Sequence, residues 1–495
     1  MTTSSPQAPA AAVHGLPAGV LRRNLSSVAA SYGVGAVVGF ATQSVLGHRL
    51  GSTTYGVYAT ALALATTLSV VQEVAGPAWL VRMAAQDPAR YRDLAGAVLA
   101  FRLVAGVAVV AAATAVAVAL GGGAEPVAVA ALVAVVTGVN AVLRALRTGF
   151  QVAERMPVAA ALTTANAVVT AAVMIGLVLA GAGLVVAVVG SAVVSLALVP
   201  VSWRLLPAQM RPRLALVGAP RALSTAALTS MPFTVVATLE TVLSYADTIV
   251  IRAFLGPTQT GLYGAAFRLV TVLQWVPSIV LDSVMRAMSS LAVNDRERFR
   301  VLVDRSAAGL LLVGLPIAAA GSLLARPVML LVFGSDFGDG ADAFRVLLWS
   351  LPLSYPAWIA SEAALVGARP AAVGRLLAGV VAANIAVNIA VVPHFGIVGS
   401  AWITLGSELA MLVAASAVLH RHGITPRWVV AIVPAAVLAA VTTAAVAPLA
   451  SAPLGVPIAV GVATYAAAVL VMWAALRTTA AGRALLVRTT GWQPR

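Results

Sequence analysis

Charged and amide side chains interrupt long apolar segments of this sequence at a few positions. A guanidinium such as that of Arg268 presents a planar fork of donors that suits phosphate or carboxylate oxygens. A carboxylate such as that of Asp247 suits a cation or a mobile proton. A charge among apolar residues is costly, so each should face a cavity or a partner. The candidate binding or gating residues are Arg268, Arg102, Asp247, Glu408, Glu73, Glu240, Asn384 and Asn388.

The composition identifies the surroundings of these residues as a lipid bilayer. The chain has 495 residues, of which 61% are hydrophobic and only 9% are charged. Soluble domains carry charge on about a quarter of their positions. This excludes a soluble enzyme and a nucleic-acid binder, and the absence of Cys excludes thiol chemistry and disulfides. Windows of about 20 apolar residues predict fourteen transmembrane helices and an all-α polytopic membrane protein.

The distribution of Arg gives the predicted orientation. Twenty-five of the 31 basic residues, all of them Arg, lie in the even-numbered connections and the two tails, and three lie on the opposite side. Cytoplasmic loops carry such an excess. Both termini are therefore predicted to be cytoplasmic, and the net charge of +15 is mostly a topology signal. No cleavable signal peptide is recognised at the start of the chain.

A repeat links the two halves of the chain. The segment LGSTTYGVYATA, residues 50–61, matches LGPTQTGLYGAA, residues 255–266, in six positions at a separation of 205 residues. A weaker echo joins Gly183-Leu184-Val185 to Gly396-Ile397-Val398. Six helices per repeat would give two pseudo-symmetric lobes related by an axis along the membrane normal, which is a transporter plan.

The predicted organisation follows from the spans and the repeat. It comprises a disordered cytoplasmic tail (1–20), an N-lobe of spans one to six (21–203), a cytoplasmic linker (204–224), a C-lobe of spans seven to twelve (225–420), the terminal spans thirteen and fourteen (421–476) and a second cytoplasmic tail (477–495).

The sequence resembles the Wzx-type polysaccharide flippases of the multidrug/oligosaccharidyl-lipid/polysaccharide exporter superfamily. The resemblance covers about residues 20–420, and the order and spacing of its motifs carry it. The motifs are Asn24, Leu50–Tyr58, Glu73–Gly76, Arg82, Asp247–Val250, Leu255-Gly256, Gly261–Tyr263, Arg268, Phe333-Gly334, Phe337, Asn384, Asn388, Pro393 and Gly396–Ala401. Glu73 departs from the pattern, in which a shorter acidic residue is expected.

The resemblance implies a function. Such proteins move polyprenyl-diphosphate-linked oligosaccharides from the inner to the outer leaflet, here of a bacterial plasma membrane. Expected partners are membrane lipid, that substrate, and the glycan polymerase and glycosyltransferases of the same pathway. Neither nucleic acid nor a cofactor is expected, because no nucleotide-binding fingerprint and no metal-ligand spacing appears.

Asp247 and Arg268 are predicted to lie at one depth on adjacent helices. Each is about 8 residues, or ~12 Å, from the turn between them. In one interpretation Arg268 binds the substrate diphosphate while Asp247 holds it or competes with the phosphate. In the other, the two residues form a static ion pair. Arg268 and Arg102 together predict a cleft that is net positive at mid-depth.

The remaining candidates have two interpretations each. Arg102 either contacts the diphosphate or extends back to the inner surface. Glu408, near Asn384 and Asn388, either carries a coupling proton or makes hydrogen bonds between helices. Glu73 and Glu240 are predicted gate or interface charges.

Two other functions stay open at this point. A cation-coupled drug or small-molecule antiporter of the same superfamily should have an acidic cavity. A membrane glycan polymerase or ligase should have a sizeable outer loop with catalytic residues, and the longest predicted outer loop, about 326–342, is short. The chain is therefore predicted not to be an enzyme.

Overall fold

The computed structural model describes residues 18–73, 76–87, 90–213, 219–367 and 370–478, and all regular elements in these ranges are helical. Most of both predicted tails and part of the predicted linker lie outside them. The α-helices are α1 (Ala18–Ser69), α2 (Pro77–Gln86), α3 (Tyr91–Ala119), α4 (Ala124–Val152), α5 (Met156–Leu179), α6 (Leu184–Leu205), α7 (Ala219–Leu273), α8 (Trp275–Asn294), α9 (Arg296–Leu323), α10 (Ala325–Phe333), α11 (Ala341–Leu348), α12 (Leu351–Gly367), α13 (Pro370–Arg421), α14 (Ile432–Val446) and α15 (Gly455–Thr478).

The helices are the form that an apolar chain must take in a bilayer. Without water in the hydrocarbon core, each backbone N–H and C=O needs a partner within the protein, and an α-helix provides it. Among the described residues, ten helices are long and apolar enough to span a membrane. The prediction of an all-helical, multi-pass membrane protein is therefore confirmed, whereas the count of fourteen stays a prediction.

Glycine kinks divide the three longest helices. Gly51 in α1 has φ 73° and Gly256 in α7 has φ 80°, and α13 has a similar kink at Gly396. Residues with a Cβ rarely adopt this left-handed region, so glycine is the residue that suits these positions. Gly51 and Gly256 are equivalent positions of the sequence repeat, which therefore marks equivalent backbone turns.

The helices pack in two groups. We call α1–α6 the N-half and α7–α13 the C-half; within each group the helices contact one another extensively, and α1 packs along α7. Helix α14 packs on α9, and α15 packs on α14, at the periphery of the C-half. The lobe boundaries drawn from the sequence stay predictions.

The repeat segments also meet each other. The hydroxyl groups of Thr53 and Thr258 lie 2.8 Å apart across the two halves. A Cβ on Gly56 would lie 1.8 Å from the carbonyl oxygen of Pro257, and a Cβ on Gly261 would lie 1.9 Å from that of Ser52. Gly56 and Gly261 are equivalent positions of the repeat, and so are Ser52 and Pro257. The same contact is therefore made twice, once from each half. The two backbones approach this closely because both positions are glycine.

Candidate functional site

Asp247 lies at the centre of a buried polar cluster in the C-half. Its side chain is 3% exposed. Tyr263 and Thr404 donate hydrogen bonds to Oδ2 at 2.8 and 2.7 Å, and Asn388 donates to Oδ1 at 2.9 Å. Hydrogen bonds to an ionised group are the strongest of their kind. These three donors offset the cost of burying the carboxylate between α7 and α13.

The two predicted asparagines belong to this cluster. Asn388 is fully buried; its Nδ2 also approaches the carbonyl oxygen of Asn384 at 3.0 Å, and its Oδ1 accepts from Ser400 at 2.8 Å. Asn384 donates to Ser407 at 3.0 Å. Glu408 takes part in none of these hydrogen bonds, so both of its interpretations stay predictions.

Of the two interpretations of Asp247 and Arg268, the static ion pair is absent from the structure. All sixteen acidic residues lie in the described part of the chain, and none is within ion-pair distance of Arg268. The equal-depth argument located both residues along their helices but gave no information about the helix face. Tyr263 and residues of α13 supply the partners that the prediction assigned to Arg268.

Arg268 instead faces the N-half. The side chain is half-buried, and a Cβ placed on Gly39 of α1 would lie 3.4 Å from its Nη2. Its Nε is buried and has no hydrogen-bond partner among the residues that the structure describes. Gly39 precedes the kink at Gly51 by as many residues as Arg268 follows the kink at Gly256. The structure thus places a guanidinium without a carboxylate partner between the two halves.

A second charge cluster lies within the N-half, around Glu73. Glu73 ends a short 3-10 turn, Val70–Glu73, that follows α1. Its carboxylate lies 2.6 Å from the guanidinium of Arg144 and 3.7 Å from that of Arg102. Arg102 also donates to the carbonyl oxygen of Ala141 at 2.6 Å. Glu73 therefore links the end of the second arm of α1 to α3 and α4.

The structure also corrects the role predicted for Arg102. This side chain is 0% exposed, enclosed between α3 and α4. A fully enclosed guanidinium has no surface for contact with substrate in this conformation, and it does not extend to the inner surface either. Of the two Arg that predicted a positive cleft, only Arg268 therefore faces the space between the halves.

A cavity of about 590 Å³ lies mainly within the C-half. Its walls come from α7, α8, α12 and α13, with Thr66 of the N-half at one side. Five carboxylates and no basic side chain occur among the described residues of its lining; the acids are Glu240, Asp247, Asp282, Glu362 and Glu408. This cavity is acidic, and neither Arg268 nor Arg102, the residues that predicted a net positive cleft, belongs to its lining.

The sequence predicted some of the residues of this site but not their grouping, and it did not predict others. Asp247, Asn384, Glu240 and Glu408 all line the one cavity, whereas Glu73 and Arg102 form a separate cluster. Thr404 was missed because a hydroxyl in an apolar helix gives no distinct signal. Arg144 was counted only as a topology charge. It lies 71 residues from Glu73 in the sequence, and only the fold brings the two side chains together.

These helices and their kinks form a fold seen in known membrane transporters. The structure is similar to that of the lipid II flippase MurJ in an inward closed conformation, with a TM-score of 0.72 and 13% identity over 91% of this chain and 99% of that chain. It is also similar to an inward-facing multidrug resistance MATE family transporter, with a TM-score of 0.59 and 16% identity over 80% and 95% of the two chains. The chain therefore has the multi-pass helical fold of these membrane transporters.

The sequence defines the family more closely. Residues 45–341 match the family described as polysaccharide biosynthesis protein, and the chain belongs to that family. No curated protein matches the chain. The family agrees with the resemblance found in the sequence, and the two solved transporters share the fold of this chain.

Proposed function

We propose that this protein moves a polyprenyl-diphosphate-linked oligosaccharide from the cytoplasmic to the outer leaflet of the plasma membrane by alternating access between its two halves. The observation that carries the proposal is the position of Arg268 between the halves without a carboxylate partner. A diphosphate that leaves water needs donors to replace its hydration, and a free guanidinium supplies two in parallel.

The reciprocal contact of the repeat segments supports the alternating-access part of the proposal. The Arg distribution predicts that these segments lie at the outer end of the protein. Contacts such as Thr53 with Thr258 would then close that end while the C-half cavity opens toward the cytoplasm. Separation of the same contacts would open the outer end and release the headgroup.

Replacement of Arg268 tests the substrate role. We expect Arg268→Ala to reduce flipping by at least about tenfold, because it removes a charge-assisted interaction with the diphosphate. Arg268→Lys should retain part of the activity, since it keeps the charge and loses the fork. The measurement is the appearance of lipid-linked glycan in the outer leaflet of proteoliposomes that contain the full chain.

A loss of flipping in Arg268→Ala should not arise from a loss of folding. Arg268 has no carboxylate partner, so Ala strands no buried anion and should leave the melting temperature nearly unchanged. Arg298→Ala is the matched control, because that side chain is 79% exposed and pairs only with Asp295. Normal flipping by well-folded Arg268→Ala protein would disprove the substrate role.

The acidic cavity favours a second candidate, a cation-coupled small-molecule antiporter. In that function Glu408, Glu240 and the asparagines beside Asp247 would bind the coupling ion or a cationic drug. Efflux of a cationic dye from proteoliposomes, driven by a proton or sodium gradient and lost in Glu408→Gln, would favour the antiporter. Flipping of a lipid-linked glycan that is lost in Arg268→Ala would favour the flippase.

A further inference from the structure

The C-half cavity contains more acidic groups than its polar cluster uses. Asp247 is satisfied by three side-chain donors. The carboxylates of the other four lining acids form no ion pair with a described basic side chain; these are Glu240, Asp282, Glu362 and Glu408. Several negative charges around one cavity repel each other, and a cation in the cavity would relieve that repulsion.

An unpartnered hydroxyl adds an independent sign of a ligand. Ser361 of α12 is 9% exposed and lines the cavity, and its buried Oγ has no hydrogen-bond partner in the described part of the chain. Buried polar groups in folded proteins are nearly always paired, so an exception at a cavity wall points to a missing donor or acceptor. The carboxylate of Glu362 follows Ser361 directly in the sequence.

The shape of the lining distinguishes among cations. No group of three or more His, Cys, Asp or Glu among the described residues is arranged to hold a metal ion, so the carboxylates do not converge on one point. The aromatic side chains of Trp358 and Phe267 also form part of the wall, and aromatic faces attract organic cations. A volume of about 590 Å³ falls within the range of small-molecule sites.

We propose that this cavity binds a free primary ammonium group carried by the transported glycan, such as an amino sugar that is not N-acetylated. An ammonium group offers three donors and no acceptor, which matches separated carboxylates and a free hydroxyl. The proposal rests on the proposed flippase function and specifies its substrate class. Phe267 lines the cavity while the adjacent Arg268 faces the N-half, so one headgroup can place its diphosphate at Arg268 and its ammonium in the cavity.

The first experiment compares two lipids in proteoliposomes that contain the full chain. The probes are undecaprenyl-diphosphate-linked glucosamine and the same lipid after N-acetylation, and flipping is followed by access of the sugar to impermeant periodate. We expect the amine lipid to flip about tenfold faster, equivalent to one charge-assisted hydrogen bond. Equal rates for the two lipids would overturn the proposal.

Two variants of cavity residues test whether the faster flipping of the amine lipid depends on the cavity. Glu362→Gln should bring the preference for the amine down about tenfold, and Ser361→Ala by a smaller factor, about threefold. The melting temperature of each variant reports that it is folded. The matched control is Glu125→Gln, an exposed carboxylate of the N-half, which should leave the ratio unchanged. An unchanged ratio in Glu362→Gln would overturn the proposal.

A binding experiment separates this inference from the flippase function. Calorimetric titration of the detergent-solubilised full chain with the methyl glycoside of glucosamine should show binding that weakens in Glu362→Gln, and the N-acetylated glycoside should bind less well. If neither lipid flips but the amine glycoside binds in this way, the flippase proposal fails and the ammonium site stands. If sodium chloride displaces the amine and the N-acetylated glycoside binds equally, the cavity is an inorganic cation site and the ammonium proposal fails.

Discussion

The N-half and the C-half turn at equivalent glycines but differ in the arrangement of their interior charges. In the N-half, Glu73 pairs with Arg144 and lies near Arg102, and the positive charges outnumber the negative one. In the C-half, the acids line an open cavity with no basic side chain among the described residues of its wall. Both halves nevertheless turn at equivalent glycines, Gly51 and Gly256.

This difference shows which features a repeat conserves. Turn geometry and close helix contacts are set by small residues, so they survive in both halves. The interior charges depend on single side chains, and each half has its own set. The contrast also divides the interior into a cluster in which the acid is paired with Arg, which serves the fold, and a cavity whose acids have no basic partner among the described residues, which is available to a ligand.

The largest effect is expected when the N-half cluster loses its carboxylate. Glu73→Ala leaves the fully buried Arg102 without its acidic neighbour; because Glu73 itself is 35% exposed, we expect a loss of about 3 kcal/mol, the lower end of the cost for a buried pair. Glu408→Gln in the C-half should leave the free energy of unfolding unchanged or raise it, because no described ion pair is broken. Thermal unfolding in detergent measures both, and equal losses would contradict the contrast between the halves.

The contact between the halves should respond symmetrically. Gly56→Ala and Gly261→Ala each place a Cβ within 2 Å of a carbonyl oxygen, so each should destabilise the closed contact by about 1–3 kcal/mol. The readout is disulfide formation in the Thr53→Cys, Thr258→Cys double variant, which has no native Cys to interfere. Gly176→Ala is the control, because no atom lies within 4 Å of its Cβ position. A large effect from only one of the two glycines would break the symmetry argument.

The repeat-equivalent tyrosines should behave differently from one another. Tyr263→Phe removes one of three donors from Asp247 and should lower the free energy of unfolding by about 1–2 kcal/mol. Tyr58, its equivalent in the N-half, makes no side-chain hydrogen bond with the described residues, so Tyr58→Phe should change little. Paired thermal melts measure the difference, and identical melts would indicate that the Asp247 cluster contributes little to stability.

The smallest effect is expected at an exposed ion pair of the N-half. Arg90 and Asp87 lie 3.1 Å apart with side chains 79% and 46% exposed. Solvent screens such a pair, so Asp87→Asn should change the free energy of unfolding by no more than about 0.5 kcal/mol. The same thermal melts then calibrate the Glu73 result, because a comparable loss at Asp87 would mean that burial is not the cause.

The sequence predicted the elements of this fold better than the contacts within it. Apolar windows located the helices, and the repeat identified Gly51 and Gly256 as equivalent turns, because both signals depend on residue type alone. The sequence could not decide whether Asp247 and Arg268 form an ion pair, because depth along a helix does not specify its face. The burial of Arg102 depends on the packing of α3 against α4, and the acidic cavity depends on four separate helices. No local pattern contains that information.

The contact between Thr53 and Thr258 has a consequence for the origin of the chain. Each partner is the repeat equivalent of the other, which is the self-complementary relation found at the two-fold interface of a homodimer. A half-length ancestor with the same hairpin would have paired with its own copy through these residues. If the chain arose by fusion of two such copies, the interface would be kept while the two interiors became free to diverge, which a single gene for a symmetric dimer does not permit.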